Sequence, residues 1–516
     1  MDSPSKSISS EDVAVFDSKI QTYQTVTGQE ESFEFSELEQ KKLDKIYRKI
    51  DFRILPALFT LYFLTSFADS AYGVALTMNM EQGHSVIQAL KLSPNDVSLA
   101  TALNFVGFIV FDVPMNLIMT RVAPQAWMSR IVISVGLVYA CFPAITSASG
   151  LTAARFFAGS CVAGCWPGMA YFISLWYPNR RKARRIGYYF TAAQLSAAVA
   201  GLVSAGFQKM DGMRGLFGYQ WMFLVYGVVT ICVGISLNWW LPGRPLAFGN
   251  EDGRFKNRIL RFLTAAIKDG SNVLTPEERE LHARDMAASY SKPPVWGLSE
   301  LWKVFKDVRI WPLIMMYFGV VGAGYGLAVF ASTIINNINP NLSSIDLSLL
   351  VAPIWLFDLA AILLITPFSD KYSRHRGIVF SFATLIIITG LLVTTYAPGP
   401  WSRYGGLLIS GFGLGPTVPI CMTWAAEIFG PRHGDLGTAA SAALVSGLGN
   451  LGSVTTCYAL YSGWPADAAR GYRDSNMVMV AILGVSIIAA GACTAVRWAL
   501  GDLKKTNTTA SLHDRF

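Results

Sequence analysis

The chain has 516 residues, of which 52% are hydrophobic and only 15% charged, well below the quarter or so usual for a water-soluble domain. That balance excludes an ordinary soluble enzyme and a disordered tail-like protein. The net charge of +8 is spread through loops at regular intervals, which argues against a nucleic-acid surface.

Residues 1–34 are rich in Ser, Glu and Asp and have the composition of a disordered segment. Ser36-Glu37-Leu38-Glu39 reads as a capping box. Leu43, Ile46, Tyr47 and Ile50 follow at helical spacing, with a basic face from Lys41 to Lys49, so this helix is expected on the inner membrane surface. A solvated helix is the alternative.

Twelve apolar stretches follow, each near the roughly 20 residues that a spanning helix needs. They cover 53–78, 97–119, 127–147, 150–177, 187–208, 219–241, 308–334, 346–368, 376–396, 402–429, 436–463 and 475–500. They are too long and too little alternating for strands. Lys and Arg gather in every second loop, most densely at Arg180-Arg181-Lys182-Ala183-Arg184-Arg185, which predicts that both termini lie in the cytoplasm. Segment 242–306 is polar and charged, carries a short helix predicted from Thr275 through Met286, and divides the spans six and six. The expected organisation is a tail with its amphipathic helix at 1–50, a six-helix bundle at 51–241, a cytoplasmic linker at 242–306, a second bundle at 307–500 and a tail at 501–516. The fold class is all-α, and two like halves suggest a site at their interface. All seven Cys fall in spans and read as small buried hydrophobes; no disulfide framework, metal-ligand spacing, hydrolytic cluster or nucleotide motif is present.

Charges inside the spans are costly and therefore point to function. Asp69 lies in span 1, Asp112 in span 2, Arg155 in span 4, Asp358 in span 8 and Glu427 in span 10. Asp69 is the first candidate for proton coupling, because burial and a nearby cation would pull its ionisation in opposite directions. A permanent pair with Arg155 is the alternative. Glu427 is the second candidate, or a gate residue. Asp112 suits packing or gating. Arg155, Gly159, Val162 and Trp166 share one face of a continuous helix. Arg155 is a candidate for an anionic or polar substrate group, and Trp166 for stacking on a flat one, or for packing alone. Gln194 and Asn450 offer amide donors and acceptors, either to substrate or between helices. Tyr72, Tyr325 and Trp424 are further substrate candidates, with Trp355 beside them, and helix packing is the alternative for each. Asp370, Arg374 and Arg376 form a charged cluster suited to an inner gate.

Several motifs are specific together. They are Lys49-Ile50-Asp51-Phe52-Arg53-Ile54-Leu55-Pro56, Asp112-Val113-Pro114-Met115-Asn116-Leu117, Trp166-Pro167-Gly168, Leu274-Thr275-Pro276-Glu277-Glu278-Arg279, Ser369-Asp370-Lys371-Tyr372-Ser373-Arg374-His375-Arg376 and Gly449-Asn450-Leu451-Gly452. Through them the chain resembles a major facilitator superfamily transporter, and more narrowly the fungal anion:cation symporter branch that includes allantoate, nicotinate and pantothenate permeases. The resemblance implies twelve transmembrane helices in two six-helix bundles, with spans 1, 7 and 10 facing a central cavity. The branch usually has Asp-Arg in helix 1 and a Glu seven residues after the helix 4 Arg; here those positions read Asp69-Ser70 and Val162. The function expected is proton symport of a small organic anion, vitamin or related metabolite by alternating access, with no cofactor and no metal. A proton-coupled exporter is the alternative, and a non-transporting nutrient receptor a remote one. A monomer in the plasma membrane is expected. The solute and any glycosylation at Asn341 stay open.

Overall fold

A computed structural model describes residues 36–243, 245, 273–289, 298–372 and 375–500, less some side chains within them. The chain divides into two compact units, Met1–Arg48 and Lys49–Phe516. In the first, the expected capping box is present: the Ser36 amide donates to Glu39 Oε2 at 3.0 Å and the Glu39 amide to Ser36 Oγ at 3.3 Å, which opens α1 (Glu37–Ala75).

In the second unit, α2 (Pro94–Arg121), α3 (Pro124–Ala140), α4 (Ala148–Val162), α5 (Cys165–Trp176), α6 (Asn179–Gln208) and α7 (Gly218–Trp240) complete the first half. Two linker helices follow, α8 (Pro276–Ser289) and α9 (Leu298–Lys306). The second half contains α10 (Ile310–Ile338), α11 (Ser344–Lys371), α12 (Arg376–Tyr396), α13 (Pro400–Leu414), α14 (Thr417–Gly449), α15 (Leu451–Ala459) and α16 (Arg473–Ala499). Helix starts follow local chemistry. Ser93 and Asp96 close a capping box with Pro94 in the first turn, and Ser343 and Asp346 repeat it before α11. Asp370 and Arg374 of the expected gate cluster lie outside the residues whose side chains are described.

Among the described residues, eleven helical stretches are long and apolar enough to cross a membrane. The twelfth expected span, 436–463, is helical but is shared between the end of α14 and α15, with a break at Asn450. The short loop expected after span 10 is helical too, since α14 runs unbroken through 430–435. Large apolar side chains such as Phe157, Leu364 and Ile488 are exposed on the outside, an arrangement that only hydrocarbon solvates well. Cys141 and Cys232 are among the exposed residues, so the expectation of seven buried thiols holds for only part of the set.

Glycines set the helix crossings. A Cβ on Gly159 would meet the Asn104 carbonyl oxygen at 1.8 Å, so α4 can cross α2 closely only with Gly there. The halves meet where α6 packs on α11 and where α15 packs on α2. Their described hydrogen bonds gather at the face opposite the linker. Gln208 Nε2 donates to Ser348 Oγ at 2.8 Å and to the Ser344 carbonyl at 3.3 Å. The Met80 amide donates to Ser344 Oγ at 3.2 Å, and Ser332 Oγ to the Gly73 carbonyl at 3.1 Å. At the linker face, α8 is held by an ion pair between Lys49 and Glu278 and by His282, whose Nε2 lies 3.0 Å from the Trp176 carbonyl.

Candidate functional site: a central cavity between the halves

Between the halves lies a cavity lined by residues of both. Three of the spans around it are broken where they reach it. The fourth span stops at Val162 and restarts at Cys165, across Gly164 with φ 76°. That left-handed conformation suits glycine alone among the residues nearby. The restart leaves unpaired amide groups, and Asp112 Oδ1 accepts from the Gly164 N–H at 3.0 Å. Asp112 is thus bound into the break rather than standing at an entrance. The same break corrects the expected continuous face: Val162 and Trp166 both line the cavity, whereas Arg155, on the other side of Gly164, does not. The tenth span breaks between Leu414 and Thr417, and the eleventh at Asn450. Broken spans place backbone and polar side chains inside a membrane without exposing them to lipid.

Asp69 sits at the cavity wall, with 21% of its side chain exposed. Its Oδ1 accepts from Asn104 Nδ2 at 3.2 Å and from an Arg155 terminal nitrogen at 3.3 Å. Arg155 is completely buried behind it. The same nitrogen donates to the Tyr139 hydroxyl at 2.9 Å, and the guanidinium lies 4.1 Å from the centre of the Tyr72 ring. Tyr72 therefore supports Arg155 from behind and does not line the cavity, because the cation occupies its face. Among the described residues, no Lys or Arg lines the cavity, so Arg155 reaches it only through Asp69.

One wall is aromatic. Trp166 stacks on Tyr62 with ring centres 5.8 Å apart and meets Phe190 at 5.5 Å. Tyr325 lines the same space and packs edge-on against Phe105 at 4.6 Å. Gln194 and Asn450 also line it, as expected, and Asn450 Nδ2 donates to the Ser446 carbonyl at 2.8 Å. Trp424 does not: it is buried against the backbone at Gly377, where an added Cβ would come within 3.0 Å of its ring. Glu427 is also away from the cavity. It takes both Nε (2.9 Å) and a terminal nitrogen (2.8 Å) of Arg376, which in turn donates to Ser369 Oγ at 3.3 Å. A forked pair of this kind ties the end of α11 and the start of α12 to the body of α14 and gives Glu427 the role of a tie. Tyr62, Phe190, Asp358 and Ser446 are also in the lining and were not singled out as binding residues from sequence. Only Asp358 carried a signal, an acid within a span. Among the described residues no cluster of side chains suits a metal ion.

A model of the Major Facilitator Superfamily matches residues 58–455. The chain is 46% identical to Vitamin H transporter 1 of Schizosaccharomyces pombe, covering 94% of this chain and 84% of that one. It is 47% identical to an uncharacterised transporter of the same yeast, covering 88% and 73%. Among solved structures it resembles a bacterial homologue of the human lysosomal transporter Spinster, caught inward-facing and unoccupied, at TM-score 0.60 and 19% identity over 86% of this chain and 96% of that one.

Proposed function

The chain belongs to the Major Facilitator Superfamily, and on that premise we propose that it carries a small vitamin-like organic acid, of which vitamin H (biotin) is the leading candidate, across the plasma membrane by proton symport. The observation that carries this reading is the Asp69 site: a partly exposed carboxylate at the cavity wall, paired with an Arg155 that is itself completely buried. With Asp69 ionised, Arg155 is balanced and the cavity offers an organic anion no bare cation. A proton on Asp69 weakens that hold and leaves the guanidinium to attract a carboxylate. Substrate and proton then arrive together, which is coupling in the thermodynamic sense. Tyr62, Trp166 and Phe190 supply the apolar surface for the body of the solute. The bonds between halves at the face opposite the linker would close one side while the other is open, as alternating access requires.

The test uses purified protein in liposomes with labelled biotin. Asp69→Asn keeps a side chain of the same size that can still bond Asn104 but cannot titrate. Accumulation driven by an imposed pH gradient should be lost, while exchange of labelled for unlabelled solute at equal pH should persist. Full gradient-driven accumulation by the variant would refute the assignment. Accumulation only when the gradient is reversed would favour export.

A further inference from the structure

The cavity wall holds a concentration of polar atoms that no protein group meets. Asp358 is 1% exposed, and neither of its carboxylate oxygens has a hydrogen-bond partner. Trp355, one helical turn earlier on α11, lines the same cavity with its indole N–H unpaired. Gln194 Oε1 on α6 and Ser446 Oγ on α14 complete the group, both lining the cavity and both unpaired. A buried polar group left without a partner is costly, so four around one cavity call for an explanation. Crowding of the carboxyl adds to this: a Cβ on Gly415 would come within 2.5 Å of Asp358 Oδ1. The absence of a side chain at Gly415 is what leaves Asp358 its place in the wall.

The chemistry of these atoms is complementary to a definite shape. On the seam where α6 packs on α11, Asp358 and Gln194 supply acceptors and Trp355 a donor; Ser446 stands on span 11, away from them. A cyclic urea presents the inverse, two N–H donors flanking one carbonyl acceptor. We infer that Asp358, Trp355 and Gln194, on the packed pair α11 and α6, form a ureido-binding subsite in which Asp358 accepts the solute's N–H groups, and that this subsite sets the carrier's specificity. The inference rests on the reading of the central cavity as the transport site, and it assigns the solute's two ends. The ureido head goes to the wall of Asp358, and the carboxylate tail goes toward Asp69 and Arg155.

The experiment measures binding to full-length protein in nanodiscs with a panel: biotin, its N-methylated analogue, and the simpler pair imidazolidin-2-one and 1,3-dimethylimidazolidin-2-one. Binding is read by displacement of labelled biotin and by thermal shift. Wild-type protein should prefer each N–H compound over its methylated partner. Asp358→Leu should lower affinity for the N–H compounds by about twofold to tenfold, the range for one hydrogen bond to an uncharged group, and leave the methylated ones unchanged. Asp358→Asn, which keeps the volume and one acceptor, should give an intermediate loss and stands in if Asp358→Leu fails to fold by size exclusion. Equal loss of both members of a pair means a structural role and overturns the subsite, as does undiminished N–H preference in the folded variants. If wild-type protein ignores biotin but shows an Asp358-dependent preference between the simple ureas, the choice of vitamin falls and the subsite stands. No preference within either pair sinks the subsite whatever the carrier transports.

Discussion

Removing Asp69 tests whether the carboxylate or something else keeps Arg155 buried. In Asp69→Ala the guanidinium loses an acceptor at 3.3 Å and keeps the Tyr139 hydroxyl at 2.9 Å and the Tyr72 ring at 4.1 Å. Deleting one member of a buried ion pair typically costs about 3–5 kcal/mol, because the other charge is left uncompensated. Asp69 is partly exposed and its contact is long, so the expected loss is at the lower edge, about 2–3 kcal/mol. Arg155→Met should cost less, because Asp69 keeps the Asn104 amide at 3.2 Å and can neutralise itself by taking up a proton. The double variant removes both charges and should be more stable than the sum of the singles by about 1–2 kcal/mol, within the range of directly coupled neighbours. Reversible unfolding in mixed micelles, with the four proteins compared at one pH, measures the cycle. Additivity to within about 0.5 kcal/mol would show that the two groups do not support each other, and would undo the premise that Asp69 screens Arg155.

Gln208→Ala removes two donated bonds that tie the halves together at the face opposite the linker. At about 0.5–1.5 kcal/mol per bond, the equilibrium should move about fivefold to a hundredfold toward opening on that side. Spin-label distances across that face, or maleimide labelling of a cysteine placed there, would register it, and an unchanged distribution would count against these bonds as a seal. At the linker face, burial lowers the affinity of His282 for a proton, and the Lys49 pairing together with the Thr275 bonds keeps Glu278 below its usual range despite some burial. The undocked His282 gains a proton near pH 6.5 while the docked one resists, so docking of α8 should weaken as pH falls below that value. Glu278 adds to the loss only at more acid pH, where its free form becomes protonated. The protection of amides 276–289, taken relative to the intrinsic exchange rate at each pH, should fall between pH 7.5 and 5.5, and His282→Gln should flatten that change.

The architecture was largely legible because hydrocarbon imposes simple demands. Eleven described spans fall where hydropathy put them, and the α8 helix begins at the predicted Thr275-Pro276 signal. The pairing of Asp69 with Arg155 was legible for the same reason: two opposite charges in spans 1 and 4 have few other ways to be satisfied. What escaped was local. Trp166 was placed on one helix with Arg155, but a left-handed Gly164 resets the face, and no spacing rule reveals such a break. Trp424 and Tyr72 looked like cavity aromatics, yet rotation of a helix by a fraction of a turn decides between cavity and packing. Glu427 was open between proton coupling and a gate role, and its partner, Arg376, 51 residues earlier, is visible only in the fold. The unmet Asp358 could be noticed as an acid in a span, but its lack of partners is a property of three-dimensional neighbours alone.

The balanced couple of Asp69 and Arg155 also has an electrical meaning. While both are ionised their charges cancel, and the voltage across the membrane has no grip on this part of the first half. A proton on Asp69 leaves one unmatched positive charge deep in the low-dielectric interior. The membrane field then acts on it with up to about 2.3 kcal/mol per 100 mV for a full crossing, less for the fraction of the thickness moved. A bound solute carboxylate cancels that charge again, so the potential acts on the protonated carrier only while it is without solute, and uptake of one proton with one carboxylate would be driven by the pH gradient and not by the voltage.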